Sequence, residues 1–114
     1  GEIFVPKIFS FKITDVAKAI APECEQVICG IRPGEKVHEE MITASDSFNT
    51  YDLGKYYVIL PTKSEWDMND FLQSFDAEKV NEGFSYNSGT NSSWETVESL
   101  RQLIKENVDS NFEV

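Results

Sequence analysis

Arg32, Pro33, Gly34 and Glu35 stand in consecutive positions, with Lys36 next, inside the stretch GIRPGEKVHEEMI (30–42). A guanidinium is planar and can give two parallel hydrogen bonds to one phosphate, so Arg32 beside a tight bend is a candidate anion grip. Pro33 and Gly34 suit the corner of a turn, and a glycine lets backbone approach a ligand closely. Glu35 offers acceptors for sugar hydroxyls, and Lys36 adds a weaker point charge. A short helix is expected over Lys36 to Met41; its unpaired N–H groups near Glu35 would also favour an anion. The competing reading is a plain strand-to-helix bend with a solvated Arg–Glu pair, which is worth little. Spacing alone favours the plain bend.

Other candidate constellations are weaker. A zinc helix of the H-E-x-x-H type needs a second histidine at position 42, which is isoleucine, and His38 is the chain's one histidine. The two cysteines, Cys24 and Cys29, do not form a paired-ligand pattern. No metal site is expected, and His38 reads as a surface or packing residue. Tyr51 and Lys55 have the Y-x-x-x-K spacing of a dehydrogenase helix, but Gly54 and the strand-like run after it argue against a helix there. No Gly-x-Gly-x-x-Gly follows a strand, and no Ser/His/Asp arrangement stands out, so these residues alone predict no catalysis.

The elements that must position Arg32 come from hydrophobic patterning. EIFVP, residues 2–6, reads as a strand whose Pro6 favours an edge or an end. Thr14 reads as the N-cap of a helix with Val16, Ala17 and Ile20 on one face, ended at Ala21-Pro22. QVICGI, residues 26–31, is continuous and apolar enough to predict a buried strand leading straight into Arg32. If residues 25–31 are a strand, Cys24 and Cys29 point to opposite faces, so no disulfide is expected. A polar loop is expected over 43–50, a strand over KYYVIL (55–60) stopped by Pro61, and a loop or partial helix over 62–82. GFSYN (83–87) predicts a last short strand. Ser92 and Glu95 match a capping box, followed by a helix with Val97, Leu100, Leu103, Ile104 and Val108 on one stripe and a frayed tail over 108–114.

The chain has 114 residues, enough for one small domain with a modest core. Its net charge of −10 argues against nucleic acid and against an anionic membrane surface as partners. No apolar run approaches the roughly 20 residues of a membrane span. Two cysteines without a pairing geometry fit a reduced, cytoplasmic protein. Gly1 is followed at once by strand-like residues, so the chain is expected to be a piece of a longer protein.

Ordered blocks run along nearly the whole sequence: GEIFVPKI, then S-x-K-I-T-D-x-A-K-A, then IRPGEKxHEEMI, then YYVI, then F-S-Y-N-S-x-T-N-x-x-W. Together they resemble the C-terminal third of the inverting UDP-N-acetylglucosamine 4,6-dehydratases, extended short-chain dehydrogenases/reductases that feed pseudaminic acid and related bacterial surface sugars. Phe9 replaces a proline common in the family, and residues 63–81 match poorly. The resemblance implies an α+β fold: the small substrate-binding C-terminal portion, residues 1–114 as one domain, without the Rossmann half. It implies that NADP and the catalytic Tyr, Lys and acid belong to that other half. There the sugar would be oxidised at C4, lose water across C5 and C6, and regain hydride with inversion at C5. By resemblance Arg32 matches the arginine that grips the UDP phosphates, Glu35 an acidic residue on the substrate side, and Lys36 a weaker contact. The isolated piece is then expected to bind a UDP-sugar at most, to turn nothing over, and to self-associate through apolar surface. The parent is expected to be a homo-oligomer. The alternative is a stand-alone, non-catalytic interaction module that kept the fold.

Overall fold

The computed structural model describes residues 1–114. In chain order the elements are β1 (Ile3–Pro6), α1 (Ile13–Ile20), β2 (Glu40–Ile42), a single 3-10 turn (Asp46–Asn49), β3 (Thr50–Asp52), β4 (Tyr56–Ile59), α2 (Met68–Ser74), β5 (Glu78–Lys79), β6 (Tyr86–Asn87) and α3 (Val97–Asn107). The chain divides into two compact units: Gly1–Ile8 with His38–Thr90, and Phe9–Val37 with Asn91–Val114.

The first unit is built on an antiparallel sheet in the order β1-β4-β3-β5. β1 lies at its edge, where Pro6 removes no ladder bond that a neighbour needs. Register assigns the faces, because directly paired residues share a side and successive residues alternate. Phe4, Val58 and Tyr51 fall on one side; Val5 and Tyr57 fall on the other. On the first side Phe4 meets Phe71 of α2, with ring centroids 6.3 Å apart, and Phe71 in turn meets Trp66 and Phe75. On the second side Tyr57 packs on Phe84 and Tyr86, at 5.1 and 5.3 Å between centroids. Val58, paired with Phe4 on the first side, is fully buried, as is Ile42 of β2. Each such side chain stabilises the fold by about 1.5–3 kcal/mol.

Two buried polar residues are satisfied locally. Thr50 Oγ1 donates to the Asp46 carbonyl at 2.7 Å, and Ser47 Oγ donates to the Ala44 carbonyl while accepting from Gly83 N–H. A second ladder joins β2 to β6. Tyr86 adds an unusual rung: its hydroxyl accepts from Ile8 N–H at 2.8 Å and donates to the Ile8 carbonyl at 2.9 Å.

In the second unit, Ser10 bridges Trp94 by Ser10 N–H to the Ser93 carbonyl and Glu95 N–H to the Ser10 carbonyl. α3 contacts α1. Ala19 is fully buried, and Arg101 of α3 donates from Nε to the Ala19 carbonyl and from Nη2 to the Lys18 carbonyl. These are carbonyls at the C-terminal end of α1, which lack helical partners and favour a cation.

The mixed α and β content, β1, β4 and its stop before Pro61, the helix within 62–82 and the C-terminal helix match expectation. Five local readings need correction. No strand forms over 26–31: Val27, Ile28 and Ile31 are 78%, 89% and 63% exposed. An apolar run has strand propensity, but a strand exists only when neighbours accept its ladder, and neither unit supplies one. Cys24 and Cys29 are therefore not fixed on opposite faces of a strand; both are exposed free thiols. No helix follows Glu35; residues 40–42 instead become β2, because β6 offers them a partner. Thr14 is not a cap but the second residue of α1. Lys12 is the N-cap, its carbonyl accepting from both Asp15 and Val16 N–H, and Ala19 rather than Ile20 is the buried residue. Finally, α3 is capped by Thr96 and Ser99, not by Ser92 and Glu95: Ser99 N–H donates to Thr96 Oγ1 and Thr96 N–H to Ser99 Oγ. Of its stripe, Leu103 and Val108 are exposed.

Candidate functional site

The bend at Arg32 forms as its residue types require. Glu35 N–H donates to the Arg32 carbonyl at 3.0 Å, and Gly34 takes φ +87°, a left-handed conformation natural to glycine. Within the bend the Glu35 carboxylate holds Arg32 at three points. Oε1 accepts from Arg32 Nε at 2.8 Å and lies 2.6 Å from Nη2, while Oε2 accepts from Arg32 N–H at 2.9 Å. The backbone hydrogen bond first, then the side-chain bond from Arg32, keeps the Glu35 carboxyl below the ordinary range.

Arg32's side chain is 86% exposed and Glu35's 42%. Glu35 engages one edge of the guanidinium, so Nη1 and the remaining Nη2 hydrogen face outward, a geometry suited to an incoming oxyanion. The structure thus brings Arg32 and Glu35 together. Lys36 is exposed and makes no hydrogen bond or ion pair with them. A helix N-terminus, expected beside Glu35, contributes nothing here, because none forms.

The other sequence candidates have structural uses. His38 Nδ1 is 3.4 Å from Ser88 Oγ, and a Cβ on Gly89 would lie 2.9 Å from the imidazole ring. Ser88 Oγ accepts from Glu39 N–H, and Ser88 N–H donates to the Glu39 carbonyl, so this histidine sits where β2 and β6 begin to separate. No group of three or more His, Cys, Asp or Glu residues is arranged to hold a metal. Tyr51 and Lys55 lie on the β3–β4 hairpin, whose turn is closed by Leu53 N–H to the Tyr56 carbonyl, not on a helix. The S-Y-N-S-x-T-N-x-x-W block supplies β6 and then builds a loop. Asn87 Oδ1 accepts from Gly89 and Thr90 N–H, and Trp94 Nε1 donates to the Asn91 carbonyl. Residue spacing did not assign these side chains that role; the tendency of Asn to bond nearby backbone is the signal that could have shown it.

A shallow cavity of about 210 Å³ in the second unit is lined by Glu98, Arg101, Lys105 and Phe112 among others, and by none of Arg32, Glu35 or Lys36. The residues present do not fit a dinucleotide: both sheets are antiparallel, and no glycine-rich turn leads from a strand into a helix.

The fold and the bend together define a small α+β chain with an exposed candidate anion-binding group and no dinucleotide cradle. The chain belongs to the polysaccharide biosynthesis protein family, whose model matches residues 1–61. It is 47% identical over 108 residues to the inverting UDP-N-acetylglucosamine 4,6-dehydratase of Campylobacter jejuni subsp. jejuni serotype O:2. It is 43% identical over 110 residues to the enzyme of the same name from serotype O:23/36. Each match takes in 91% of this chain and 32% of the relative, so the chain spans about a third of the length of these relatives. The X-ray structure of Pen from Bacillus thuringiensis shares the fold, with a TM-score of 0.69 at 23% identity over 93% of this chain and 31% of that one. No helix is long and apolar enough to cross a membrane.

Proposed function

We propose that this chain is the C-terminal, nucleotide-sugar-binding portion of a UDP-N-acetylglucosamine 4,6-dehydratase that inverts C5, serving bacterial surface-sugar biosynthesis of the pseudaminic acid type in the cytoplasm. In this reading both compact units belong to one substrate-binding domain. Arg32 receives the diphosphate through its outward N–H groups. Glu35 orients the guanidinium and keeps an acceptor lone pair for a sugar hydroxyl, and Lys36 adds a second, mobile positive charge. NADP and the reacting groups are assigned to the rest of the parent, a homo-oligomer, because no residue here fits the cofactor. This chain alone turns nothing over and self-associates through its exposed apolar residues.

The observation that carries the reading is the 47% identity over nearly the whole chain to an enzyme of that activity. A coupled assay with NADP and UDP-N-acetylglucosamine tests it. The parent, obtained from the coding sequence upstream of Gly1, is expected to release a 4-keto product, and the isolated chain none. A parent without that activity, or an active isolated chain, overturns the reading. A stop codon directly upstream would favour the stand-alone module instead.

A further inference from the structure

Residues 26–31 combine two properties that conflict in an isolated chain. Their composition, Gln-Val-Ile-Cys-Gly-Ile, is that of a strand apolar on both faces, the pattern of a strand inside a sheet rather than at its edge. Yet Val27 and Ile28, which alternate faces in an extended chain, are 78% and 89% exposed, and Val27 to Ile31 make no hydrogen bond within the chain. Their ladder of N–H and C=O groups is open on both edges. In the same unit Phe11, Ile13 and Ile20 are also more than half exposed, so the unsatisfied surface extends beyond the segment.

We propose that residues 26–31 are a latent β-strand whose docking partner is the portion of the parent that the relatives possess and this chain lacks. A strand apolar on both faces needs neighbours on its edges and cover on its faces, which only a large partner supplies. The chain matches 32% of the relatives' length, leaving about two thirds to do so. A second copy fits less well. It carries the same −10 charge, and its own sheet edges are short: β1, which ends in Pro6, the two-residue β5, and the three-residue β2 and two-residue β6 of the second ladder. Gly30, at φ +87° with open space around its Cα, is the residue able to change conformation as the segment straightens. Docking then fixes the residue that enters the Arg32 bend, so the same event that buries the segment aims the guanidinium.

This rests on the proposed function only for the existence of the longer parent, not for its chemistry. The test is amide hydrogen exchange by mass spectrometry on residues 26–31 in the parent and in this chain at concentrations where it is monomeric. Exchange is expected to be rapid in the isolated chain and slowed about 100-fold or more in the parent. Ile28→Asp is expected to leave the melting temperature of the isolated chain unchanged and to lower that of the parent. Unprotected amides in the parent, protection already present in the monomeric chain, protection that appears only on dimerisation of the chain, or the absence of any upstream coding sequence would each overturn the proposal. A parent that is inactive but protected would sink the dehydratase reading and leave this one standing.

Discussion

Arg32→Ala in the proposed parent protein is the most direct probe of the bend. Glu35 occupies Nε and one Nη2 hydrogen of Arg32, so at most the outer edge is left for a diphosphate. A hydrogen bond to a charged group contributes about 1.5–3 kcal/mol, so losing the outer edge corresponds to about a 10- to 150-fold rise in Kd for UDP-N-acetylglucosamine. Fold stability is expected to change little, because both side chains are exposed and surface pairs of this kind contribute little. Arg32→Lys separates shape from charge. A lysine keeps the charge but lacks the planar fork that offers two hydrogen bonds to one partner, so an intermediate loss is expected. Glu35→Gln should weaken binding with Arg32 still present, by releasing the guanidinium from its hold. Isothermal titration calorimetry with UDP-N-acetylglucosamine measures all three. An unchanged Kd in Arg32→Ala at unchanged stability refutes the reasoning and returns the bend to an ordinary solvated turn.

Thr96→Ala removes the acceptor for Ser99 N–H and half of a reciprocal cap, and should lower stability by about 1 kcal/mol in urea unfolding. Val58→Ala deletes two methyl groups from a fully buried position under the Phe4 and Phe71 side of the sheet, for about 2 kcal/mol including the cavity left behind, readable in the same titration. Asp46 is held below the ordinary carboxylate range first by the Thr43 hydroxyl and then by Thr43 N–H, and Glu35 by the Arg32 backbone N–H and side chain. Depressed carboxylates stabilise above their unfolded values, so stability should fall as pH drops below about 4, and Asp46→Asn should flatten that slope in thermal melts. Self-association of the isolated chain should strengthen with added salt, since like charges keep copies apart; light scattering showing a monomer at all salt concentrations would count against an exposed sticky surface.

The parts of this fold that are legible in sequence are those decided by near neighbours. YYVI is β-branched and aromatic and ends at Pro61; Arg-Pro-Gly-Glu closes on itself; α3 shows its stripe. What sequence misplaces is decided by partners far along the chain. QVICGI looks more strand-like than EMI, yet EMI finds β6 and QVICGI finds no ladder. The cap of α3 escapes the residue pattern because serine at the third helical position can replace glutamate when its hydroxyl reaches the Thr96 N–H, a choice that composition does not reveal. Arg32 is legible as a candidate anion-binding group. Its three-point grip by Glu35 is visible only as two residues at turn spacing, since distances of this kind depend on the closed bend.

The phenol of Tyr86 gives Ile8 both an acceptor and a donor, so a single oxygen stands in for an absent neighbouring strand just past Pro6. Phenylalanine at that position would keep the ring against Tyr57 and lose both bonds together. Tyrosine and phenylalanine, interchangeable at most aromatic contacts, are therefore different residues at position 86: one prolongs β-like order beyond a proline, and the other lets it stop there.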